Sequence, residues 1–485
     1  MKHLLQCLLV PLIIVSCSQE EKNKTALIKG SVLTENVAKI NFNWIVDNPI
    51  SGKGNTYSAD VDSKGQFSIE IPIDRMATGQ IEAGGFYHQI CLIPGDNFTM
   101  KIEGDTIQFD GKGANKNNFL YATEKNGLWD QSFFWEMNRC ELPLNDLFEN
   151  LIQFKQKRLA FFRTYIDTVE LQKEFVKYYE VITQVYFEQI IQQYPEYYAH
   201  RNNTPLIIHE LPYSFKAYRN FAKYVDDTKV FCPEYLNNLR NNMYSKINEV
   251  VLADSTLSWP DAKYTILFDS LSGKTQEYLL TKWICSEFSQ DRYDTLAINK
   301  FNEIEKDELA KSTFQQAFEK YNAKHALLGQ PLHREFSETL LFDTSETKLT
   351  FGEMMNTHKG KVVYLDIWSL NCGPCIAAMP DSKKLKEKLS GLPIEFIYLA
   401  QDAPSNDVWN RIFEKSFTNK NHFRTVDYQW GSSRMLKFME INWVPCYMIF
   451  DKEGKLVDFN ADRPMNVTND IVSQLEQTLH DLAVK

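Results

Sequence analysis

The sequence predicts a multidomain chain with an N-terminal β-sandwich-like domain, a central all-α domain and a C-terminal α/β domain. Three changes in texture carry that prediction. Apolar residues recur at every second position up to about residue 112, and at three- and four-residue steps from about 113 to 330. From 331 to 485 strand-length and helix-length apolar runs alternate. A chain of 485 residues suits roughly three domains of about 100 to 200 residues each.

The first 17 residues stand apart. Met1-Lys2-His3 is a short basic start, and Leu4 to Val15 is apolar apart from Gln6. About a dozen residues cannot span a bilayer, which needs roughly 20, but they suit the core of a secretory signal. The run ends in Ile14-Val15-Ser16-Cys17, which resembles the lipobox of bacterial lipoproteins. That resemblance implies a signal peptide over 1–17 with Cys17 as the lipidation site; a simple cleaved signal with an incidental cysteine is the alternative. Ser18 to Lys24 is polar and reads as a tether. No later segment is apolar enough for a transmembrane helix, so the remainder is expected on one side of the membrane, in an oxidising compartment.

Within 18–112, Ile40, Phe42, Trp44 and Val46 alternate, as do Phe67, Ile69, Ile71 and Ile73, then Phe98, Met100 and Ile102. Turn signals at Asp62 to Gly65, Pro94-Gly-Asp96 and Gly104-Asp105 separate these strands. Within 113–330, Leu147, Leu151, Phe154, Phe161 and Tyr165 form one helical stripe, and Phe175, Tyr179, Ile182, Tyr186 and Ile190 another. Such stripes predict core. Leu328-Gly329-Gln330-Pro331 reads as a linker. Beyond it, Val362–Ile367 and Ile394–Leu399 read as buried strands, 373–389 and 405–415 as helices, "CYMIF" and "LVDF" as a hairpin, and Val467–Leu482 as the closing helix.

A net charge of −10 argues against a nucleic-acid partner, which needs a basic face. Of nine cysteines, Cys7 lies in the signal and Cys17 would carry lipid. The other seven are odd in number and widely spaced, so no disulfide framework is expected. Cys91, Cys140, Cys232 and Cys285 read as buried small hydrophobes.

Cys372-Gly-Pro-Cys375 is different, because it lies where a buried strand gives way to a helix. Unpaired backbone N–H groups and the positive end of the helix dipole favour a thiolate there. Cys372 is the expected nucleophile. Cys375, one turn later, is placed to resolve a mixed disulfide, and Gly373-Pro374 keeps the turn tight.

Residues 331–485 resemble the TlpA/ResA branch of the thioredoxin-like family. The shared marks are Lys359-Gly-Lys-Val-Val-Tyr-Leu-Asp366, Trp368, Cys372-Gly-Pro-Cys375, Pro380 and Trp443-Val-Pro445. The three-part layout also resembles Gram-negative lipoproteins carrying such a module at the end. The resemblance implies a thioredoxin-like fold and Asp366 as a buried acid that takes the proton of Cys375. It further implies a cis peptide before Pro445 and a substrate surface formed by Trp368, Gly373, Pro374, Val444 and Pro445. Three departures stand out: Asn371 replaces a common tryptophan, Ala378 a common glutamate, and Cys446 a common threonine. Cys446 reads either as an extra redox thiol or as a packed side chain.

The resulting expectation is a membrane-anchored envelope thiol-disulfide oxidoreductase, working in the reducing direction and needing no cofactor beyond the Cys372–Cys375 dithiol. Its partners would be protein thiols and disulfides, a membrane electron donor, and the membrane itself through the N-terminal lipid. Its location would be the periplasmic side of a Gram-negative envelope. The alternatives are a binding or scaffold lipoprotein and, more remotely, a thiol peroxidase, since Ser369 precedes Cys372 as in peroxiredoxins while Leu365 takes the place of their proline. Zinc fits poorly because no second Cys or His pair flanks the motif. His358 and His422 read as isolated surface residues.

Overall fold

The computed structural model describes residues 24–34, 37–128, 141–204, 210–218, 221–254, 256–403, 421–427, 433–441, 443–465, 467 and 472–485. Cys17, Cys140 and the helix expected over 405–415 lie outside the described residues. The described chain forms two compact units. One runs up to Trp283 and includes Thr295–Thr313, and the other comprises Ile284–Asp294 and Phe314–Lys485.

The first unit opens with eight strands: β1 (Thr25–Val32), β2 (Lys39–Val46), β3 (Asn55–Asp60), β4 (Gln66–Pro72), β5 (Ala77–Ala83), β6 (Phe86–Leu92), β7 (Asn97–Glu103) and β8 (Thr106–Lys112). They make two four-stranded sheets, ordered β4-β1-β7-β8 and β3-β2-β5-β6. Alternate residues of both, among them Ile28, Ile71, Phe98, Phe42, Ile81 and Ile90, share one core, as period-two patterning requires. Gly30 permits the parallel β1–β7 pairing, since a Cβ there would fall 2.0 Å from the Met100 carbonyl oxygen.

One strand departs from the expected alternation. β2 carries a bulge, with Trp44 at φ 56° and 68% exposed, so that Ile45 rather than Trp44 turns inward. The extra residue shifts the register by one, which moves every following side chain to the other face.

Helices α1 (Ala114–Lys125), α2 (Leu144–Ile166), α3 (Lys173–Arg201), α4 (Pro233–Ala253), α5 (Gly273–Ser289), α6 (Thr295–Ile304) and α7 (Glu308–His325) follow. α1 fastens the helices to the sandwich. Its Asn117 side chain accepts from Cys91 N at 2.8 Å and donates to Cys91 O at 3.1 Å, pairing the outer strand β6 as another strand would. Lys116 Nζ donates to Asp96 Oδ2 at 2.5 Å, to Gly113 O at 2.7 Å and to Gln172 Oε1 at 2.9 Å, with both charged side chains at 0% exposure. Phe119 centres an aromatic cluster with Phe162, Phe175 and Tyr179, joining the two stripes read from the sequence.

The second unit is built on a seven-stranded sheet of β9 (Leu340–Phe342), β10 (Lys348–Thr350), β11 (Val362–Trp368), β12 (Ile394–Ala400), β13 (His422–Thr425), β14 (Cys446–Phe450) and β15 (Leu456–Asp458). The strand order is β10-β9-β13-β12-β11-β14-β15. β11 runs parallel to β12 and antiparallel to β14, and all seven of its residues are buried. Its continuous apolar run follows from cover on both faces. Tyr364 and Trp368 face one core with Leu385, Leu475 and Leu479, whereas Val363, Leu365 and Ile367 face the other with Phe351 and Met354. Asp366 shares the face of Tyr364 and Trp368 by strand alternation.

The longer helices here are α8 (Phe351–Thr357), opened by a Thr350/Glu353 capping box, α9 (Gly373–Lys388) and α10 (Gln474–Val484). α10 starts at Gln474 rather than Val467, because Ser473 caps it by accepting from Glu476 N. The end of α7 packs within this same unit. Phe288 meets Phe314, Phe318 and Tyr321, and Gly329 N of the expected linker donates to Leu456 O at 2.8 Å.

Candidate active site

β11 delivers the chain to the site, and two fastenings fix the turn that follows. Gln401 N donates to Trp368 O at 3.0 Å. Asp402 then receives Ser369 Oγ at 2.8 Å on one oxygen and Leu370 N at 2.9 Å on the other. With the loop held, Cys372 N reaches Ser369 O at 3.1 Å and Cys372 becomes the N-cap of α9. Its sulfur accepts from Cys375 N at 3.1 Å, and Pro374 occupies a first-turn position where no N–H is needed.

Cys372 and Cys375 form a disulfide, with Cα atoms 5.2 Å apart. Cys375 is only 1% exposed and Cys372 9%, while Gly373, Pro374 and Ile376 are exposed around them. Cys372 is thus the more exposed residue of the pair. That asymmetry suits an attacking and a resolving thiol.

On β11, Asp366 is 2% exposed, its Oδ1 without a hydrogen-bond partner among the described residues. Burial pushes its carboxyl up to about 8, and the Arg463 guanidinium acts in the opposite sense. The same Arg463 donates through Nη2 to Pro374 O, between the two cysteines, at 2.6 Å. Tyr364, Tyr398 and Tyr447 surround the acid, each with its phenol pushed up by burial and by the Asp366 charge. The Val444–Pro445 peptide is cis, directly before β14.

Residues 360–456 match the model of the thioredoxin-like family. The C-terminal module is a thioredoxin-like domain. Among solved structures, the thioredoxin domain of a thiol-disulfide oxidoreductase from Bacteroides vulgatus is 18% identical, covering 32% of this chain and 99% of that one with a TM-score of 0.24. A thiol:disulfide interchange protein from a Bacteroides species is also 18% identical, over 30% and 86% with a TM-score of 0.25. A secreted disulfide oxidoreductase of Mycobacterium tuberculosis is 14% identical, over 32% and 100% with a TM-score of 0.23. No curated protein sequence matches the chain.

In the thioredoxin-like domain Arg463 bonds to the Cys372–Cys375 turn, and its charge acts on Asp366. Trp368, expected in the substrate surface, is buried. It is 0% exposed in the core under the dithiol, where an indole supports the loop from below. Cys446 sits inside β14 at 2% exposure with its thiol pushed up to about 12 by burial, so it is a packed side chain. His422 is buried, not superficial, and stacks on Tyr398 at 4.7 Å between ring centroids. Cys91 and Cys232 are buried as expected, whereas Cys285 is half-buried.

Two site residues escaped the sequence reading. Asp402 carried a usable signal, because it follows the carboxyl end of a buried strand, where sites in α/β sheets form. Arg463 carried none, lying 88 positions after Cys375 in an irregular stretch.

Proposed function

We propose that the protein is a thiol-disulfide oxidoreductase of the bacterial cell envelope, held to the membrane through lipid on Cys17 and acting as a reductase of protein disulfides. The observation that carries this reading is the Cys372–Cys375 disulfide at the start of α9, with a buried carboxyl on the preceding strand, Asp366, pushed up to about 8. A passive fold has no use for an acid held in that state.

In the reduced protein, the Cys372 thiolate attacks a substrate disulfide, forming a Cys372–substrate bond and releasing one substrate thiolate. Cys375 then passes its proton to the Asp366 carboxylate and attacks the Cys372 sulfur. The Cys372–Cys375 bond forms as the second substrate thiolate leaves, so the substrate gains two electrons and the dithiol loses two. A membrane dithiol donor would return the protein to its reduced form.

The test is insulin disulfide reduction with dithiothreitol as donor. Cys372→Ser is expected to fall to background, and Cys375→Ser to accumulate a mixed disulfide that dithiothreitol releases. Wild-type reduction by Cys372→Ser overturns the assignment.

A further inference from the structure

Arg463 belongs to no strand or helix, yet the two residues before it are tied to the sheet. Tyr364 Oη on β11 donates to Asp462 O at 2.8 Å, and Ala461 N donates to Tyr447 O on β14 at 3.0 Å. From that fixed base its Nη2 is bonded to Pro374 O in the first turn of α9, while its Nε is buried with no acceptor among the described residues. The partnerless Oδ1 of Asp366 lies in the same region.

We propose that Arg463 is a positioning residue that holds one positive charge between the Cys372–Cys375 turn and Asp366, so that the carboxylate exists when Cys375 has to lose its proton. This rests on the oxidoreductase reading above. Among the described residues, the groups that interact electrostatically with Asp366 include Tyr364 on its own strand, Tyr398 on β12, Cys446 and Tyr447 on β14, and Arg463. Burial keeps the three phenols and the Cys446 thiol neutral near pH 7. Arg463 is therefore the charge available to favour the ionised acid. In the resolving step the proton moves from the Cys375 sulfur to Asp366, the Cys375–Cys372 bond forms and the Cys372–substrate bond breaks. Arg463 takes no part in that transfer.

An opposite charge favours an ionised carboxyl, and the Arg463 guanidinium lowers that of Asp366, so its loss has a defined signature. In the full-length protein, Arg463→Met is expected to move the acid limb of the insulin-reduction pH profile upward by about one pH unit or more. Turnover at pH 7 would fall roughly tenfold and converge on wild type near pH 10. Arg463→Lys, which keeps the charge, is expected to restore the midpoint, and Arg463→Met is expected to add nothing in an Asp366→Asn background.

An equal slowing at every pH, failure of lysine to rescue, or an undiminished effect without Asp366 overturns the proposal. If the wild type reduces no disulfide, the oxidoreductase reading falls by itself. The charge coupling is then read without substrate, from hydrogen exchange of β11 across pH, where Arg463→Met must displace the plateau upward and an unmoved plateau refutes it.

Discussion

Replacing Asp366 by Asn should stabilise the thioredoxin-like domain at neutral pH while impairing its chemistry. The carboxyl has a folded pKa of about 8 against 3.8 for the free side chain. Between those values the unfolded chain has lost a proton that the folded chain retains, so wild-type stability falls as pH rises from about 4 to about 8 and then levels off. At pH 7 the interval above 3.8 is about three pH units, and at about 1.4 kcal/mol for each the destabilisation is about 4 kcal/mol. Asn does not ionise and escapes it. The assay is hydrogen exchange by mass spectrometry on β11 peptides of the full chain, which avoids assuming that two units unfold together. Exchange in Asp366→Asn should match wild type near pH 4, apart from a pH-independent offset for the amide itself. It should become about a thousandfold slower by comparison at pH 7. The same ratio at both pH values would refute a buried, protonated acid.

Three further outcomes follow from the same geometry. Lys116→Met should destabilise the first unit by about 3 to 5 kcal/mol in urea denaturation, because it leaves Asp96 charged and buried; Asp96→Asn in the same chain should recover much of that loss. Asp402→Ala should remove about 2 kcal/mol of charge-assisted bonding from the loop, seen as faster exchange at Leu370 and several-fold slower insulin reduction. Iodoacetamide at pH 8 should leave Cys91, Cys232 and Cys446 unlabelled in the folded protein and label all three in urea, since burial raises each thiol and covers it.

The three-part architecture was legible because hydrophobic periodicity is local and each region holds one period over many residues. Local patterning fails where one residue changes the register or where a partner comes from afar. Trp44 continues the alternation of β2 in sequence, yet the bulge turns it outward, and nothing in Phe42-Asn-Trp-Ile45 announces a left-handed backbone. β13 was missed because His422-Phe-Arg-Thr425 reads as polar, although Arg424 lies over the Phe342 ring and His422 over Tyr398. At the site, Cys372 and Cys375 declare themselves by spacing at a strand-to-helix junction. Asp366 was legible through the family motif. Asp402 and Arg463 act through contacts that span 32 and 89 residues of chain, and no spacing rule links such positions.

Whether Cys372 and Cys375 exchange two electrons as a pair is read by equilibrium redox titration. Full-length protein would be held in graded dithiothreitol or glutathione buffers, alkylated, and read by mass spectrometry at both cysteines. The two thiols should titrate together as a two-electron couple at about −270 mV, the range of a reducing thioredoxin. A value near −120 mV would reverse the direction assigned to the protein. Two cysteines that stay oxidised, or stay reduced, across the whole series would contradict exchange as a pair.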